Sequence, residues 1–376
     1  MKNYDFLIVG AGISGAVLAE RLANDGNKKV LVIDKRDHIA GNCFDYKDNN
    51  DILCHKYGPH IFHTNSSEVF NYLSKFTEWA PYVHRVMGLV DGLHIPIPFN
   101  FTSIDILFDY KTAIKIKNAL IKEYEFGSRI PISKMIDHHN QYIRYISEYI
   151  YNKIFYNYTK KQWGMPPEKL NSSVLARVPV AISYDDRYFA DKYQVMPKDG
   201  YTNMIKNMLN SKNIDILLST KYEEISDDLD IKNIIYTGKI DEFYGYKFGR
   251  LEYRSIEFIE KELKIRRYQP VATVNYPNNH EFTRITEMKH FYTEKESANM
   301  TKILIEYPKG CDHKNDEPYY PVHTDDNINL YKKYLNLRDD VTFCGRLGDY
   351  KYYNMDQAVA RSLHLYKRII KIDRGG

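Results

Sequence analysis

The first 33 residues alternate short apolar runs with a helical pattern. Residues 4–9 (YDFLIV) form an apolar run of strand length that ends at a glycine, and residues 30–33 form a second run. Between the two runs, Leu18, Leu22 and Ala23 recur at helical spacing. This pattern predicts a strand, a tight turn, a helix and a second strand, which together make one βαβ unit.

Two later segments return to this pattern. Residues 231–238 (IKNIIYTG) and 341–345 (VTFCG) are apolar runs that end at a glycine, and a helical pattern follows the second run over residues 356–370. We expect both runs to be strands of the same nucleotide-binding sheet as the first unit. The domain built on this sheet is therefore predicted to be discontinuous in sequence.

The middle of the chain has a different pattern. Residues 112–124 and 141–156 carry apolar positions at helical spacing and predict a helical insert. Residues 169–320 mix strand patterns with turns and offer few long helices. In the second segment, one helical face is formed by Tyr142, Tyr145, Ile146, Tyr149 and Ile150.

Composition narrows the class of protein. The 376 residues are 43% hydrophobic and 27% charged, which is ordinary for a globular protein of two or three domains. A net charge of +4 is small for this length and does not suggest a nucleic-acid partner. No apolar run approaches the roughly 20 residues of a membrane span. Because the first strand begins within four residues of the N-terminus, there is no room for a signal peptide, and we expect a cytoplasmic protein.

The cysteines give no sign of a disulfide framework or a zinc site. Cys43, Cys54, Cys311 and Cys344 form no CxxC motif and have no metal-like spacing with histidine. Unpaired thiols of this kind are typical of a protein from a reducing compartment. We therefore expect free thiols and no metal.

A glycine turn follows the first predicted strand. Gly10, Gly12 and Gly15 form a GxGxxG motif that opens the predicted helix. In dinucleotide-binding folds the first glycine permits the tight turn, the second lets the backbone approach a pyrophosphate, and the third lets helix and strand pack closely. The helix N-terminus adds free N–H groups and a partial positive charge. Asp34 ends the second strand, where a carboxylate can accept hydrogen bonds from ribose hydroxyls.

NAD and FAD share the glycine motif, so the motif alone does not separate them. The run from Lys35 to Gly41 and Asn42 continues the pattern of FAD-binding proteins, in which a second basic and glycine-rich stretch wraps the adenosine side. Further along, residues 57–64 (YGPHIFHT) contain His60 and His63. An isolated pair of this kind is more often structural, and no third histidine or cysteine stands at zinc-like spacing.

From residue 4 to about residue 370, the chain resembles the prokaryotic UDP-galactopyranose mutases. The resemblance implies a flavin-binding Rossmann-type domain, a helical domain and a twisted antiparallel sheet. It also implies a homodimer and noncovalent FAD that is active when reduced, with NADH or NADPH as the external reductant. The segments that carry it are GAGISGAVLAE, HKYGPHIFHT, YTKKQWG, ARVPV, YFADKYQ, FTRITEMKHF, EPYYPV and CGRLGDYKYYNMDQ.

The predicted fold is therefore α/β with three domains. The Rossmann-type FAD-binding domain is discontinuous, the helical domain is small and carries a mobile substrate loop, and the third domain is an antiparallel β-sheet that binds substrate. The expected boundaries are 1–80, 193–240 and 335–376 for the first domain, 102–165 for the second, and 81–101, 166–192 and 241–334 for the third.

The resemblance implies an isomerase that interconverts UDP-galactopyranose and UDP-galactofuranose and so supplies galactofuranose for surface polysaccharides. N5 of the reduced flavin attacks the anomeric carbon while UDP leaves. The flavin–sugar adduct opens to an iminium and recloses on the other hydroxyl. This is covalent catalysis by a cofactor, in which the protein supplies orientation and electrostatics.

The departing UDP carries negative charge, so guanidinium groups should be fixed beside it. Arg177 and Arg284 match the two arginines that bind the pyrophosphate in the family. Tyr320 and Tyr352 match tyrosines whose hydroxyls reach the same diphosphate. Arg177 also stands between apolar neighbours in ARVPV, which is unusual for a solvated side chain.

The other site residues come from the resemblance alone. In the family, aromatic side chains surround the uracil and a loop closes over the substrate. The matching residues here are Phe155, Tyr158, Thr159, Trp163, Tyr188 and Phe189. Asn354 also matches a position at the substrate. Contacts with FAD are matched by His60, Ile61, His63, Arg346, Tyr353, Met355 and Asp356. The residues expected to matter for catalysis are Arg177, Arg284, His60 and His63, with neither histidine assigned as a general base. Position 84, a histidine here, varies among relatives and leaves the sugar contacts open.

Two other functions stay open at this point. An FAD oxidoreductase of the amine-oxidase type shares the dinucleotide fold, but it does not need two arginines with paired tyrosines. A UDP-sugar-binding or flavin-binding protein without catalysis is the second alternative, although the matched residues are all present. The sequence also leaves open whether an N-acetylated sugar is accepted.

Overall fold

A computed structural model describes residues 3–170, 179–225, 229–292, 299–312, 316–337 and 341–375. In chain order, the strands are β1 Asn3–Val9, β2 Val30–Ile33, β3 Asp45–Lys47, β4 Leu53–His55, β5 Phe62–Thr64, β6 Trp79–Pro81, β7 Val86–Val90, β8 Leu93–Ile97, β9 Arg129–Ile130, β10 Val180–Ala181, β11 Tyr193–Pro197, β12 Ile214–Leu217, β13 Asp230–Tyr236, β14 Tyr253–Leu263, β15 Thr273–Asn275, β16 Arg284–Glu287, β17 Thr301–Gly310, β18 Tyr320–Pro321 and β19 Val341–Phe343. The helices are α1 Ile13–Glu20, α2 Ser67–Leu73, α3 Phe101–Leu107, α4 Tyr110–Glu123, α5 Gln141–Ile150, α6 Tyr156–Trp163, α7 Tyr201–Leu209, α8 Ile240–Phe243, α9 Asp325–Leu335, α10 Gly345–Gly348 and α11 Met355–Gly375.

The chain divides into two compact units. The first comprises Met1–Tyr82, Asp191–Tyr253 and Tyr320–Gly376. The second comprises Val83–Ala190 and Arg254–Tyr319. The helical insert and most of the antiparallel sheet thus fall in one unit, and the boundaries of the three proposed domains stay a prediction.

The first unit is built on a parallel sheet of order β12-β2-β1-β13-β19. The apolar runs predicted as strands of one sheet are β1, β2, β13 and β19, as expected. All four residues of β2 are buried, which fits a parallel sheet covered on both faces. Helix α1 packs against α7 and α11. The Rossmann-type fold predicted from the βαβ pattern is therefore confirmed.

The second unit combines an antiparallel sheet with helices. Its strands follow the order β14-β17-β16-β15-β7-β8, and only the β15–β7 neighbours in this order run parallel. The long pair β14–β17 runs in register from Arg254 opposite Gly310 to Leu263 opposite Thr301. Helices α3, α4 and α5 share an apolar core with β7 and β8.

Helix α5 confirms the predicted helix and most of its predicted shared face. Ile146 and Ile150 are buried, and Tyr142 and Tyr149 pack against the same core. Its fully buried positions are Ile143, Ile146, Ser147 and Ile150, whereas Tyr145 is 49% exposed. The aliphatic side chains define a narrow apolar stripe, and a tyrosine can lie at its edge with its hydroxyl in a polar contact. A π-helical turn, Tyr151–Phe155, then carries the chain from α5 into α6.

No helix in the described parts of the chain is both long enough and apolar enough to cross a membrane.

Candidate functional site

The glycine turn before α1 has the close backbone contacts predicted for it. A Cβ atom on Gly15 would lie 2.0 Å from the carbonyl oxygen of Gly10, so only glycine lets α1 begin this close to the end of β1. A Cβ atom on Gly41 would lie 2.9 Å from the Cα atom of Gly12, and Gly41 has a φ of +54°. A second stretch of backbone therefore crosses the turn where dinucleotide folds hold a pyrophosphate.

Asp34 follows β2, and its buried carboxylate is fixed from two sides. The Ala11 N–H in the glycine turn donates to Oδ2 at 2.8 Å, and the Arg36 N–H donates to Oδ1 at 2.9 Å. Carboxylate oxygens can accept further hydrogen bonds, so ribose hydroxyls can share this group. Lys35 is exposed beside it, and the Arg36 guanidinium donates to the side-chain oxygen of Asn42 at 2.9 Å.

His60 is held as a neutral imidazole of defined tautomer. Its Nδ1 lies 2.9 Å from the carbonyl oxygen of Gly58 and must donate, so Nε2 carries the lone pair. Burial, and then the charges of His55 and Arg346, lower the pKa of His60 to about 3. Its main-chain N–H donates to Nδ1 of His55 at 3.2 Å. Ile61, the next residue, is partly exposed.

His63, on β5, forms a pair with an acid that the sequence did not single out. Its Nδ1 lies 2.9 Å from Oδ2 of Asp191, which precedes the adjacent strand β11. The side-chain amide of Asn65 donates to the other carboxylate oxygen at 2.8 Å. Asp191 stands within YFADKYQ, but its partner is 128 positions away, and only the pairing of β5 with β11 brings the two together.

Arg346, at the start of α10, lies among three of the predicted tyrosines. The rings of Tyr320 and Tyr352 stack with centroids 5.1 Å apart and planes 14° apart. The Arg346 guanidinium carbon lies 5.7 Å and 5.3 Å from the two centroids. The same guanidinium donates to the carbonyl oxygen of Tyr353 at 2.7 Å. The tyrosines predicted for the diphosphate and the arginine predicted for the flavin thus form one cluster.

The first turn of α11 is hydrogen-bonded to residues 57–64, which we call the histidine segment. The Thr64 hydroxyl donates to Oδ2 of Asp356 at 3.0 Å. Asn354, just before the helix, is exposed, and its N–H donates to the side chain of Gln357 at 2.9 Å. Met355 is the first residue of the helix and is partly buried. The first unit therefore brings its predicted cofactor residues together around the ends of β1, β2 and β5 and the start of α11.

Arg284 begins β16 in the second unit and has partners on two elements. Its Nη2 donates to the Tyr158 hydroxyl of α6 at 3.1 Å. Its Nη1 lies 3.7 Å from Oε2 of Glu306, the residue opposite it on β17. Burial raises the pKa of Glu306, although the charge of Arg284 acts in the opposite sense. The guanidinium is thus oriented by a hydroxyl and by a carboxylate whose ionised form is disfavoured.

Helix α6 carries most of the predicted substrate loop. Thr159 and Trp163 are buried on the helix with Phe155 just before it, while Tyr158 is partly exposed and contacts Arg284. Because the π-helical turn adds a residue to the helix before α6, it changes the direction in which these side chains point. π-helical turns inside helices occur frequently at functional sites.

A second arginine of this unit, Arg254, also contacts α6. Unlike Arg284, it was not predicted from the sequence. Its guanidinium donates to the carbonyl oxygens of Gln162 at 3.0 Å and Lys161 at 3.3 Å, at the C-terminal end of α6. Helix ends leave carbonyl groups without intrahelical partners and favour cations there. Gly164, with a φ of +72°, ends the helix. Arg254 is far from YTKKQWG in sequence, and nothing in the sequence pattern links the two.

Tyr188 and Phe189, predicted for the uracil, form an aromatic group with His84. The His84 ring lies 5.9 Å from that of Phe189 in a stacked arrangement and 5.7 Å from that of Tyr188 edge to face. The Tyr188 N–H also donates to the carbonyl oxygen of His84 at 2.9 Å. His84, which the sequence left open, is thus a buried member of this group.

Arg177, which the sequence predicted to bind the pyrophosphate, lies in residues 171–178, outside the described residues. The remaining predicted residues divide between the two units. The first unit holds the glycine turn, Asp34, the histidine segment and the Arg346 cluster. The second unit holds Arg284, the α6 residues and the aromatic pair.

Among the described residues, one group of side chains has metal-like spacing, namely Glu123, His138 and His139. The Asn140 N–H donates to Nδ1 of His138 at 3.1 Å. Nε2 of His138 therefore carries the ring proton in the neutral form and faces Glu123 at 3.3 Å. A metal ion at Nε2 would need this proton moved to Nδ1 and the Asn140 hydrogen bond broken, so the group is better suited to a hydrogen bond from His138 to the Glu123 carboxylate.

Comparison with known proteins shows the family to which the chain is similar. The chain matches the family described as UDP-galactopyranose mutase over residues 153–352 and the NAD(P)-binding Rossmann-like domain over residues 8–76. It is 40% identical to a probable UDP-galactopyranose mutase of Klebsiella pneumoniae, over 96% of this chain and 94% of the relative. It is 36% identical to a dTDP-fucopyranose mutase of Escherichia coli, over 97% and 98% of the two chains. A crystal structure of reduced UDP-galactopyranose mutase shares the fold, with a TM-score of 0.73, 16% identity and coverage of 98% and 96%.

Proposed function

Because this chain belongs to the UDP-galactopyranose mutase family and is therefore an isomerase, we propose that it interconverts UDP-galactopyranose and UDP-galactofuranose on reduced FAD. The observation that carries the proposal is the Arg284 guanidinium. It is fixed by the Tyr158 hydroxyl and lies beside a carboxylate with a raised pKa, so its positive charge can serve a diphosphate. A leaving UDP requires such a group.

The residues of the first unit fit FAD. The glycine turn brings main chain without side chains to the pyrophosphate position, and Asp34 ends β2 with a carboxylate fixed for ribose. The proposed flavin contacts are His60, Ile61, His63, Arg346, Tyr353, Met355 and Asp356. When bound and reduced, FAD supplies a nucleophilic N5 atom for attack on the anomeric carbon. We propose that it is held noncovalently.

The side chains near the proposed flavin have defined charges. The lowered pKa of His60 keeps this ring neutral at physiological pH, so its Nε2 can accept but not donate a hydrogen bond. Arg346 is the cation of the group, and the first turn of α11 offers N–H groups and a positive dipole end. The Arg346 guanidinium and this helix end both favour negative charge on the edge of the ligand that faces them. This is the charge that a reduced flavin carries.

In the second unit, Arg284 compensates the charge that develops on the departing UDP. A guanidinium that is already oriented does not have to reorganise when that charge appears, so it stabilises the transition state more than the ground state. We propose that Arg177, Tyr320, Tyr352 and Asn354 contact the same diphosphate or sugar. Phe155, Tyr158, Thr159, Trp163, Tyr188 and Phe189 are proposed to contact the nucleotide.

Four further properties are proposed from the family resemblance. The protein is a cytoplasmic homodimer, NADH or NADPH reduces its flavin, and its product supplies galactofuranose for surface polysaccharides. A size measurement in solution tests the dimer. Stopped-flow reduction with the two nicotinamides separates the reductants.

The proposed function is tested by supplying UDP-galactofuranose to the oxidised and the dithionite-reduced protein and following both isomers by chromatography. We expect conversion by the reduced protein alone, and equal rates in both states would contradict the proposal. Because one relative is named a dTDP-fucopyranose mutase, the same assay should include dTDP-fucofuranose and the acetamido sugar in competition. A preference for either would reassign the substrate but leave the reaction type intact.

A further inference from the structure

Lys161, in the last turn of α6, has its ammonium group enclosed by main-chain carbonyls. Its Nζ donates to the carbonyl oxygens of Tyr276 at 2.5 Å, His280 at 3.0 Å and Phe282 at 3.1 Å. A lysine ammonium has three N–H donors, so this set uses them all. Burial lowers the pKa of Lys161 to about 8. In the described part of the chain no carboxylate pairs with it, so the carbonyls alone hold the charge.

These three carbonyls belong to one segment, residues 276–283, which connects β15 to β16. The segment forms two more hydrogen bonds with α6 and the π-helical turn before it. The Asn157 amide donates to the side-chain oxygen of Asn278 at 2.9 Å, and the Asn278 amide donates to the carbonyl oxygen of Lys153 at 2.5 Å. Lys153, Asn157 and Lys161 are spaced four residues apart, so they follow one another along one helical face.

The segment ends where Arg284 begins β16, and α6 also contacts Arg284 itself through Tyr158. One helix therefore holds both the arginine and the backbone that leads into it. We propose that Lys161 is a positioning residue, which fixes the 276–283 segment on α6 so that Arg284 and Tyr158 form one anchor for the diphosphate. This inference rests on the diphosphate role of Arg284 in the proposed function.

The simpler role for Lys161 is to stabilise the fold. Both roles predict a lower melting temperature when the ammonium is removed, so stability cannot separate them. They differ in the affinity of the folded protein for UDP. A positioning role requires that affinity to fall, and it requires the fall to depend on Arg284.

Three variants isolate the ammonium group. Lys161→Met keeps the length of the side chain and removes its donors, and Lys161→Arg restores donors with a different shape. Lys160→Met is the matched control, because Lys160 is the neighbouring lysine on α6 and is exposed. UDP affinity is measured on the oxidised, FAD-loaded protein by calorimetry, well below each melting temperature. We expect Lys161→Met to weaken UDP binding about tenfold, Lys161→Arg to recover part of the loss, and Lys160→Met to bind as wild type.

A double-mutant cycle with Arg284→Ala then decides the role. If Lys161 acts through Arg284, Lys161→Met should weaken UDP binding in the wild-type background but not in the Arg284→Ala background. Equal losses in both backgrounds, or unchanged affinity in folded Lys161→Met, would overturn the inference about Lys161 alone. Wild-type UDP affinity in Arg284→Ala would instead overturn the diphosphate role on which the inference rests, and both would fall.

Discussion

His55, which is buried, and His60, which is partly buried, are two histidines that the fold keeps uncharged. Burial lowers the pKa of His55 to about 4, and burial with nearby positive charge lowers that of His60 to about 3. The unfolded chain binds protons at these rings below about pH 6.5, whereas the folded chain does not until pH 4 or lower. Their contribution to stability is therefore fully present above pH 6.5 and is lost progressively as the pH falls toward 4.

We expect the free energy of unfolding of the FAD-loaded protein to fall between pH 6.5 and pH 4.5, by roughly 1.4 kcal/mol per pH unit for each histidine. Urea denaturation at several pH values measures it. His55→Gln should reduce this dependence, whereas His94→Gln, at an exposed position, should not. A pH dependence that is unchanged in His55→Gln would show that other groups cause the acid lability.

At the scale of single elements, Glu287 joins several segments at the end of β16. Its fully buried carboxylate accepts hydrogen bonds from the N–H groups of Tyr268 and Gln269, both at 3.0 Å, and from the Thr301 hydroxyl at 2.6 Å. Burial alone would raise the pKa of Glu287, but hydrogen bonds, including one from His290, outweigh it and hold the pKa at about 2. The carboxylate therefore stays ionised in the interior.

Glu287→Ala should destabilise the protein by roughly 3 kcal/mol or more, because it leaves several buried donors without an acceptor. The loss is measured by urea denaturation at pH 7. Glu281→Ala is the control, since Glu281 is exposed in the 276–283 segment that precedes β16. A change below about 1 kcal/mol in Glu287→Ala would mean that the donors find other acceptors.

Elements with strong local patterns could be predicted from the sequence. Strand β2 was predicted to the residue, since a short apolar run with no polar interruption has few other solutions. The shared face of α5 was predicted from helical spacing, and Tyr142 and Tyr149 do pack against the core, whereas Tyr145 is 49% exposed. A tyrosine's exposure depends on where its hydroxyl can find a partner, which local spacing does not encode.

The candidate site was predictable only where a residue belongs to a motif. Gly15 and Asp34 follow from the geometry of the dinucleotide turn. The hydrogen-bond partners of the site residues cannot be predicted from a motif, because tertiary contacts between distant segments determine these partners. Asp191 reaches His63, and Lys161 reaches the carbonyls before Arg284, through strand pairing and helix packing that no motif records.

At the scale of the whole molecule, the proposed function divides between two units. The dinucleotide turn lies in a unit assembled from three chain segments, and Arg284 lies in a unit assembled from two. A change at the glycine turn should therefore affect flavin binding much more than UDP binding. Gly15→Ala is the sharpest such change, because its Cβ atom would lie 2.0 Å from a main-chain oxygen that cannot rotate away.

We expect Gly15→Ala to bind FAD at least about tenfold more weakly than wild type, while its UDP affinity changes by no more than about threefold. Flavin absorbance after gel filtration reports the first quantity, and calorimetry with UDP reports the second. Gly310→Ala is the control, because its Cβ atom would meet its nearest neighbour at 3.9 Å, an ordinary contact. Full flavin content in Gly15→Ala would contradict the assignment of this turn to the cofactor. A parallel loss of UDP and FAD binding would show that the two ligands depend on one another, because a variant confined to the glycine turn removes no group proposed to contact UDP.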